Sequence, residues 1–422
     1  MMTQKRLFIC LAWMVYLNAG CNTQGVQTKT GLDRIAEYKH LFEGKRVGII
    51  ANQTAVNTAG RSIVDLFSEL PDCKVTALFA PEHGLWGAEA AGAKVDSLVH
   101  PVYGIPVLSL YRTDGRMPKP TPDMLNHIDV LVFDIQDIGA RFYTYIWTMA
   151  LAMEAAAENQ IPFVVLDRPN PVTGLSVQGP ILDPRFASFV GLYPIPVVHK
   201  MTVGELARLF QGEGWLDQGV TTKLSVVPMT GWTHGMPFEQ TGQTFIPPSP
   251  NMRTLDTARI YPGLCLLEGT NVSEGRGTAL PFLQFGAPWL NAKRLSQRLT
   301  DLNLPGIRFE TTTFTPTASK HKDQTCQGLR LHITDQTQLK PFMLGVYIVQ
   351  EIFTLHQPQF QWRSSHFDRL SGTDQIRQTI LDDRSVDQLQ AQWKTPLMAF
   401  KKLRRTYLLY PPPLECDSWN VR

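Results

Sequence analysis

Val130-Leu-Val-Phe-Asp-Ile-Gln-Asp-Ile-Gly-Ala-Arg-Phe-Tyr-Thr144 changes character partway along. It opens on an unbroken apolar run and then turns polar. A continuous run rich in Val and Leu suits a strand buried on both faces, not one that alternates between core and water. Residues 144–159, rich in Ala and Met, then read as a helix. The pattern recurs on either side. Residues 46–51, 74–79, 106–110 and 162–166 read as strands, and residues 62–70 and 122–128 as helices. Thr121 is a suitable N-cap for the second helix, with Pro122 at its first position. Buried strands alternating with helices predict an α/β fold around a parallel sheet covered on both faces. No glycine fingerprint for a dinucleotide or a phosphate loop follows any of these strands.

The polar residues gather where the strands end. The first strand runs into Asn52-Gln-Thr54, the second into Pro81-Glu-His-Gly84, and the fourth into Asp134 and Asp137. The fifth runs into Asp167-Arg-Pro-Asn-Pro171. In a parallel sheet these ends share one edge, and ligands bind outside that edge. A second polar set follows in Pro247-Pro-Ser-Pro-Asn-Met252 and in Glu268-Gly-Thr-Asn-Val-Ser-Glu-Gly-Arg-Gly-Thr278. Beyond residue 288 the pattern shifts. Helices at 295–302, 341–355, 374–381 and 385–404 with a strand at 329–333 predict a smaller α+β domain. The expected plan is a leader at 1–20, a tether at 21–40, a first domain at 41–252, a second at 253–410 and a tail at 411–422.

With 422 residues, 43% hydrophobic and 18% charged, the chain is neither disordered nor a polytopic membrane protein. Its net charge of +3 gives no support to nucleic-acid binding. Lys5 and Arg6 precede an apolar stretch at 7–17, too short for a membrane span of about 20 residues. This is a secretory leader. Leu17-Asn-Ala-Gly-Cys21 resembles a bacterial lipobox, so the expectation is an exported lipoprotein of the cell envelope. It would lie on the periplasmic side, held to the membrane through lipidated Cys21. Cys73, Cys265, Cys326 and Cys416 then remain, with three possible full pairings.

The chemistry of the clusters points to a sugar. Glu82 and His83, between a strand and Gly84, suit a general acid or base, with Pro81, Gly84 and Trp86 restricting solvent. Asp134 and Asp137 suit a carboxylate pair, or Asp137 caps the following helix. Arg141 suits a partner for either one or a clamp on an anionic substrate. Arg168 suits an internal salt bridge with Asp167. Glu268, Glu274 and Arg276 lie in a Gly-rich loop too acidic for a phosphate cradle. Carboxylates, hydrogen-bonding Asn52, Asn251 and Asn271, and aromatic platforms such as Trp86, Tyr143, Trp147 and Trp289 fit a saccharide. The ten histidines show no metal-ligand spacing, no GxSxG elbow is present, and the cysteines lie outside the polar clusters. No metal and no cofactor are expected.

Taken in order, these motifs resemble the NamZ-type exo-β-N-acetylmuramidases. The matching stretches are Ala51–Thr54, Ala80–Gly84, Phe133–Thr144, Leu166–Pro171, Met201–Leu206, Pro247–Met252, Glu268–Thr278 and Gly286–Trp289. The resemblance runs from about residue 45 to 410. It implies a Rossmann-like first domain, a smaller second domain and an active site between them. It also implies release of N-acetylmuramic acid from the non-reducing end of peptidoglycan fragments. Two positions depart from the family pattern. Lys200 stands where a Gly is usual, and Leu283 where a Glu is usual.

On that resemblance Glu82 is the acid that protonates the departing oxygen. The second catalytic function is open between Asp137, Glu274 and the substrate's own acetamido group. Arg141, Arg168 or Arg276 suits the lactyl carboxylate of muramic acid. The competing readings are a lipoprotein that binds muropeptides without cleaving them, and a phosphate- or nucleotide-dependent enzyme.

Overall fold

A computed structural model of the chain describes residues 27–89, 98–111, 117–172 and 176–411. The leader, Cys21, Cys416 and the tail from residue 412 lie outside the described residues. The strands are β1 (Lys45–Ala51), β2 (Cys73–Ala80), β3 (Leu98–Val99), β4 (Pro106–Ser109), β5 (Val130–Asp134), β6 (Phe163–Leu166), β7 (Gln178–Ile181), β8 (Pro196–Val198), β9 (Leu224–Val227), β10 (Gln284–Ala287), β11 (Ile307–Phe314) and β12 (Cys326–Ile333). The α-helices are α1 (Ile63–Ser68), α2 (Pro122–Leu125), α3 (Tyr145–Glu158), α4 (Val203–Gly212), α5 (Leu255–Leu264), α6 (Ala292–Asp301), α7 (Pro341–Leu355), α8 (Ser364–Ser371), α9 (Gln375–Leu381) and α10 (Asp387–Arg404).

Seven strands form the main sheet in the order β3-β4-β2-β1-β5-β6-β9. All neighbours are parallel except β3 and β4. Side chains alternate across it. Ile50, Phe79, Leu131, Phe133 and Val165 enter one core, while Ile49, Leu78, Val130, Val132 and Val164 enter another. Two separate cores explain the unbroken apolar runs, because each strand face needs its own cover. Helix α3 is buried almost all round, from Tyr145 to Ala156, as expected of a helix with little polar surface. Register decides where the site lies. Ala51 pairs with Asp134, so Asn52 and Ile135 leave the sheet side by side.

The smaller part carries a three-stranded antiparallel sheet, β10-β12-β11. Within this part α5 and α7 cross closely. There a Cβ on Gly263 would lie 1.9 Å from the Pro341 carbonyl oxygen, and one on Gly345 would lie 2.2 Å from that of Gly263. Only glycine lets the two backbones approach this closely.

The tether expected at 21–40 needs correction over its second half. Lys29 bridges to Thr230, the Gly31 amide donates to the Asp167 carbonyl at 2.9 Å, and Leu32 and Ile35 are core residues. Their side chains, 13 and 10 residues upstream of β1, bury themselves against the sheet. The described cysteines Cys73, Cys265 and Cys326 are unbridged. Among the described residues no helix is long and apolar enough to cross a membrane.

Arg141 ties the two parts together. Its guanidinium is fully buried and donates to the carbonyls of Pro180 and Ile195 at 2.9 Å. It also donates to those of Leu370 at 3.1 Å and Ser371 at 2.8 Å, at the end of α8. A Cβ on Gly372, whose φ is +75°, would lie 2.3 Å from Arg141 Nη2. Gly372→Ala should therefore destabilise the protein by about 1–3 kcal/mol through left-handed strain and displacement of the guanidinium. A thermal melt reads this as a lowered Tm, and a variant melting with the parent would refute it.

Candidate active site

Glu82 stands at the carboxyl end of β2, on a turn closed by the Gly84 amide bonding the Pro81 carbonyl at 3.0 Å. His83 adopts φ +72°, in the left-handed region. That unusual backbone turns His83 inward, where its Nδ1 meets the Glu89 carbonyl at 2.7 Å, and leaves Glu82 half-buried. The structure therefore uses His83 to hold the turn. Thr144, just before α3, donates its hydroxyl to Glu82 Oε2 at 3.1 Å. The Tyr145 hydroxyl lies 2.7 Å from the Pro248 carbonyl and 3.4 Å from the Glu82 carbonyl. The turn is fixed from below as well. Gln53 donates to the Pro247 carbonyl at 2.8 Å and fills the space beside Gly87.

Asn52 belongs to this cluster. Its Oδ1 accepts from the Thr54 amide and hydroxyl at 3.0 and 2.6 Å, while its buried side-chain amide also interacts with the Tyr145 hydroxyl. Tyr143 packs edge-on against Tyr145 at 5.1 Å, and its buried hydroxyl interacts with Ser249. Burial holds both phenols above their ordinary range, so both are neutral donors. Thr54, Gln136 and Arg168 line a separate cavity of about 200 Å³ that neither Glu82 nor Tyr143 lines.

The other carboxylates fall into three environments. Asp134 is fully buried and takes a two-pronged ion pair from Arg168, with Nη2 to Oδ2 at 2.8 Å and Nε to Oδ1. This corrects the expected Asp167–Arg168 bridge. Asp167 instead accepts from Thr202 Oγ1 and the Gly204 amide, both at 2.8 Å, and from the Tyr410 hydroxyl. Asp134 and Asp137 also form no carboxylate pair, since Arg168 claims the first. Asp137 is sealed within the protein. Its Oδ2 accepts from the Gly139 amide at 2.7 Å and faces His199 Nε2 at 3.8 Å, and its Oδ1 has no partner. Burial raises the Asp137 carboxyl to about 7. Burial also lowers His199 to about 3, and the Met201 amide donates to its Nδ1, so the ring is neutral with its proton on Nε2.

Glu268 and Glu274 form an ionic network in the second part. Arg276 reaches Glu268 at 2.7 Å and Glu274 at 3.2 Å, and Lys320 reaches Glu274 at 2.8 Å. Burial opposes ionisation of Glu268, but His366, Arg276 and Lys320 outweigh it and hold the carboxyl below the usual range. Asn271 braces a neighbouring loop, donating to the Gln359 carbonyl at 2.9 Å and accepting from the Gln361 amide at 3.0 Å. Asn251 is half-buried in the proline turn. A ladder of rings joins the two clusters: Tyr143 to Tyr261 at 5.8 Å, Tyr261 to Phe282 at 4.8 Å, and Phe282 under the Arg276 guanidinium at 5.1 Å.

Two expectations are corrected by these contacts. In each candidate arginine donors are already engaged within the protein, although the buried Arg141 Nε has no partner. Arg141 donates to carbonyls, Arg168 to Asp134, and Arg276 to Glu268 and Glu274. Of the aromatic platforms, Trp147 is a core residue stacked on Phe210 at 5.5 Å, and Trp289 packs on His356 at 5.4 Å. Trp86 lies half in water. Thr144 and Tyr145 were not singled out for Glu82. The Phe-Tyr-Thr-Tyr run places them on the first turn of α3, the signal that points to them. Among the described residues no group of three or more His, Cys, Asp or Glu is placed to hold a metal ion.

Asp137 gives a direct test of these electrostatics. Its carboxyl is raised in the folded state, so its contribution to stability is greatest below about 4 and is lost as the pH rises towards 7. Asp137→Asn removes the buried charge. Its Tm should exceed that of the parent at pH 8 and match it near pH 4. A constant difference across that range would show that burial does not control this group.

The comparisons follow the same division of the chain. Residues 47–256 match the family model described as exo-beta-N-acetylmuramidase NamZ, N-terminal, and residues 259–410 match its C-terminal counterpart. The peptidoglycan beta-N-acetylmuramidase NamZ of Bacillus subtilis (strain 168) is 47% identical over 386 residues, covering 91% of this chain and 92% of that protein. Two solved DUF1343-family proteins of Bacteroides fragilis NCTC 9343 share the fold. One has a TM-score of 0.84 at 38% identity and the other 0.74 at 32%, each over 92% of this chain and 100% or 99% of theirs. The ordered motifs, the two-part architecture and the matches to both halves together place this chain in the NamZ exo-β-N-acetylmuramidase family.

Proposed function

We propose that this protein is an exo-acting glycosidase that releases N-acetylmuramic acid from the non-reducing end of peptidoglycan fragments, with Glu82 as the general acid. The observation that carries this is the sorting of the carboxylates. Asp134 is spent on Arg168, Glu268 and Glu274 on Arg276 and Lys320, and Asp137 is sealed. Of this set, Glu82 stands at the carboxyl edge of the sheet, partly exposed to solvent and with a hydroxyl donor from Thr144.

A glycosidic bond needs a proton on its leaving oxygen and electron density at the anomeric carbon. Glu82 supplies the proton. The pairing of Glu274 and the burial of Asp137 favour the substrate's 2-acetamido oxygen as the nucleophile. That oxygen bonds the anomeric carbon as the glycosidic bond breaks, and the leaving oxygen takes the Glu82 proton. Water then attacks the cyclic intermediate and returns a proton to Glu82. The phenols of Tyr143 and Tyr145 stand close enough to Glu82 to feel its charge. Residues 1–21 support export and lipid anchoring at Cys21 as the setting, which incorporation of labelled fatty acid into the parent but not Cys21→Ser would test.

Glu82→Gln should lower kcat on a chromogenic muramide by at least about 100-fold while melting and binding substrate like the parent. Near-parental turnover would remove Glu82 from the acid role. The matching glucosaminide should be cleaved poorly by the parent. A muramyl thiazoline, which mimics the cyclic intermediate, should inhibit competitively and well below the KM. Weak inhibition, together with a trapped glycosyl-enzyme, would point to a carboxylate nucleophile instead.

A further inference from the structure

The described surface exposes nine large hydrophobic side chains, and five of them fall between residues 86 and 103. Trp86 is 48% exposed, Val99 63% and Val102 77%, with Leu98 and Tyr103 beside them. Isolated exposed apolar residues need no explanation, but a cluster of this kind marks a contact surface. The β3–β4 hairpin carries most of it, at the outer edge of the sheet. Three rings run in series. Trp86 and His100 lie 6.3 Å apart at 33°, and His100 and Tyr103 lie 5.3 Å apart at 39°. Tyr103 is pinned by its hydroxyl, which donates to Asp65 Oδ1 at 2.6 Å.

The series starts on the turn that carries the candidate acid and runs back along the flank of the sheet. Trp86 follows Glu82 by four residues on the same turn, so the two lie within about 14 Å. A pyranose has a face of C–H groups and a rim of hydroxyls. It therefore settles on a flat aromatic ring whose surroundings offer polar atoms at the edge. A lipid surface would want a surplus of cations. Among the described residues, the charges that act on Tyr103 are Asp65, Glu69 and Arg61, an acidic balance. An exo-acting enzyme holds one terminal sugar at its acid, so the rest of the chain must leave across the rim.

We propose that Trp86, His100 and Tyr103 form a platform for the saccharide on the leaving side of the scissile bond, so that the protein favours glycan oligomers over simple muramides. This rests on the glycosidase reading, and the test separates the two. Trp86→Ala and Tyr103→Ala are compared with the parent on an aryl muramide, which has no leaving sugar, and on muramyl-terminated glycan oligomers. The expected result is a loss of kcat/KM about tenfold greater on the oligomers, carried by KM, and largely restored in Trp86→Phe. An equal loss on both substrates, or none on either, overturns the platform. So does unchanged oligomer kinetics in a variant that has lost binding to vesicles of anionic phospholipid, which would make the patch a membrane face. If the parent cleaves neither substrate, the glycosidase reading fails on its own. The platform is then judged by calorimetric titration of Glu82→Gln with oligomer. About tenfold weaker binding on adding Trp86→Ala supports it, and unchanged binding overturns it.

Discussion

A buried guanidinium holds the two parts of this molecule in one arrangement. Arg141 follows β5 by seven residues and ends among four backbone carbonyls, two from the β7–β8 region and two from the end of α8. A cation taken out of water is costly unless dipoles replace its hydration. The carbonyls at a helix C-terminus carry the negative end of the helix dipole and suit that task. Burial pulls the group down to about 9, which leaves it charged at neutral pH. The same Phe133–Thr144 stretch that supplies Arg141 also supplies Asp134, Asp137, Tyr143 and Thr144. The relative position of the two parts and the shape of the site are therefore set by one short segment leaving the central strand.

Burial then gives chemically identical groups different work. Asp134 and Arg168 neutralise each other beneath the crevice. Asp167 and Asp137, both raised to about 7, draw on hydroxyl and amide donors and not on cations. Glu268 and Glu274 sit among Arg276, Lys320 and His366, an environment that favours ionisation of Glu268. A carboxyl group that must donate a proton to a substrate has to be reachable, and Glu82 meets that condition through the left-handed turn at His83. Lys200 also occupies the left-handed region, at φ +60°, which accounts for the glycine usual there in the family. Its carbonyl accepts from Arg404 at 3.0 Å, so the turn is held from α10.

Much of the first domain was legible in the sequence. The apolar runs at 46–51, 74–79, 130–134 and 162–166 carry their own evidence, because a strand covered on both faces has no polar positions. Short strands such as β7, β8 and β9 were not marked, since three or four residues hold too little pattern. Residues 27–40 were read as part of a tether because their polar composition hides the two side chains, Leu32 and Ile35, that dock. Glu82 was legible from its place after a strand and before a glycine. The roles of Arg141 and Arg168 were not, because a guanidinium looks the same in sequence whether it meets a carbonyl, an aspartate or a substrate.

The sequence by itself determined the α/β class, the edge of the sheet where polar residues collect and the family to which the chain belongs. Each follows from local order: the period of apolar residues, the residues that end strands, and motifs contiguous in the chain. Only the tertiary structure decided which acid pairs with which base, which aromatic rings are core and which carboxyl group stays within reach of solvent. Those outcomes depend on distances between residues as far apart as Arg141 and Ser371, and on burial, which has no local signature.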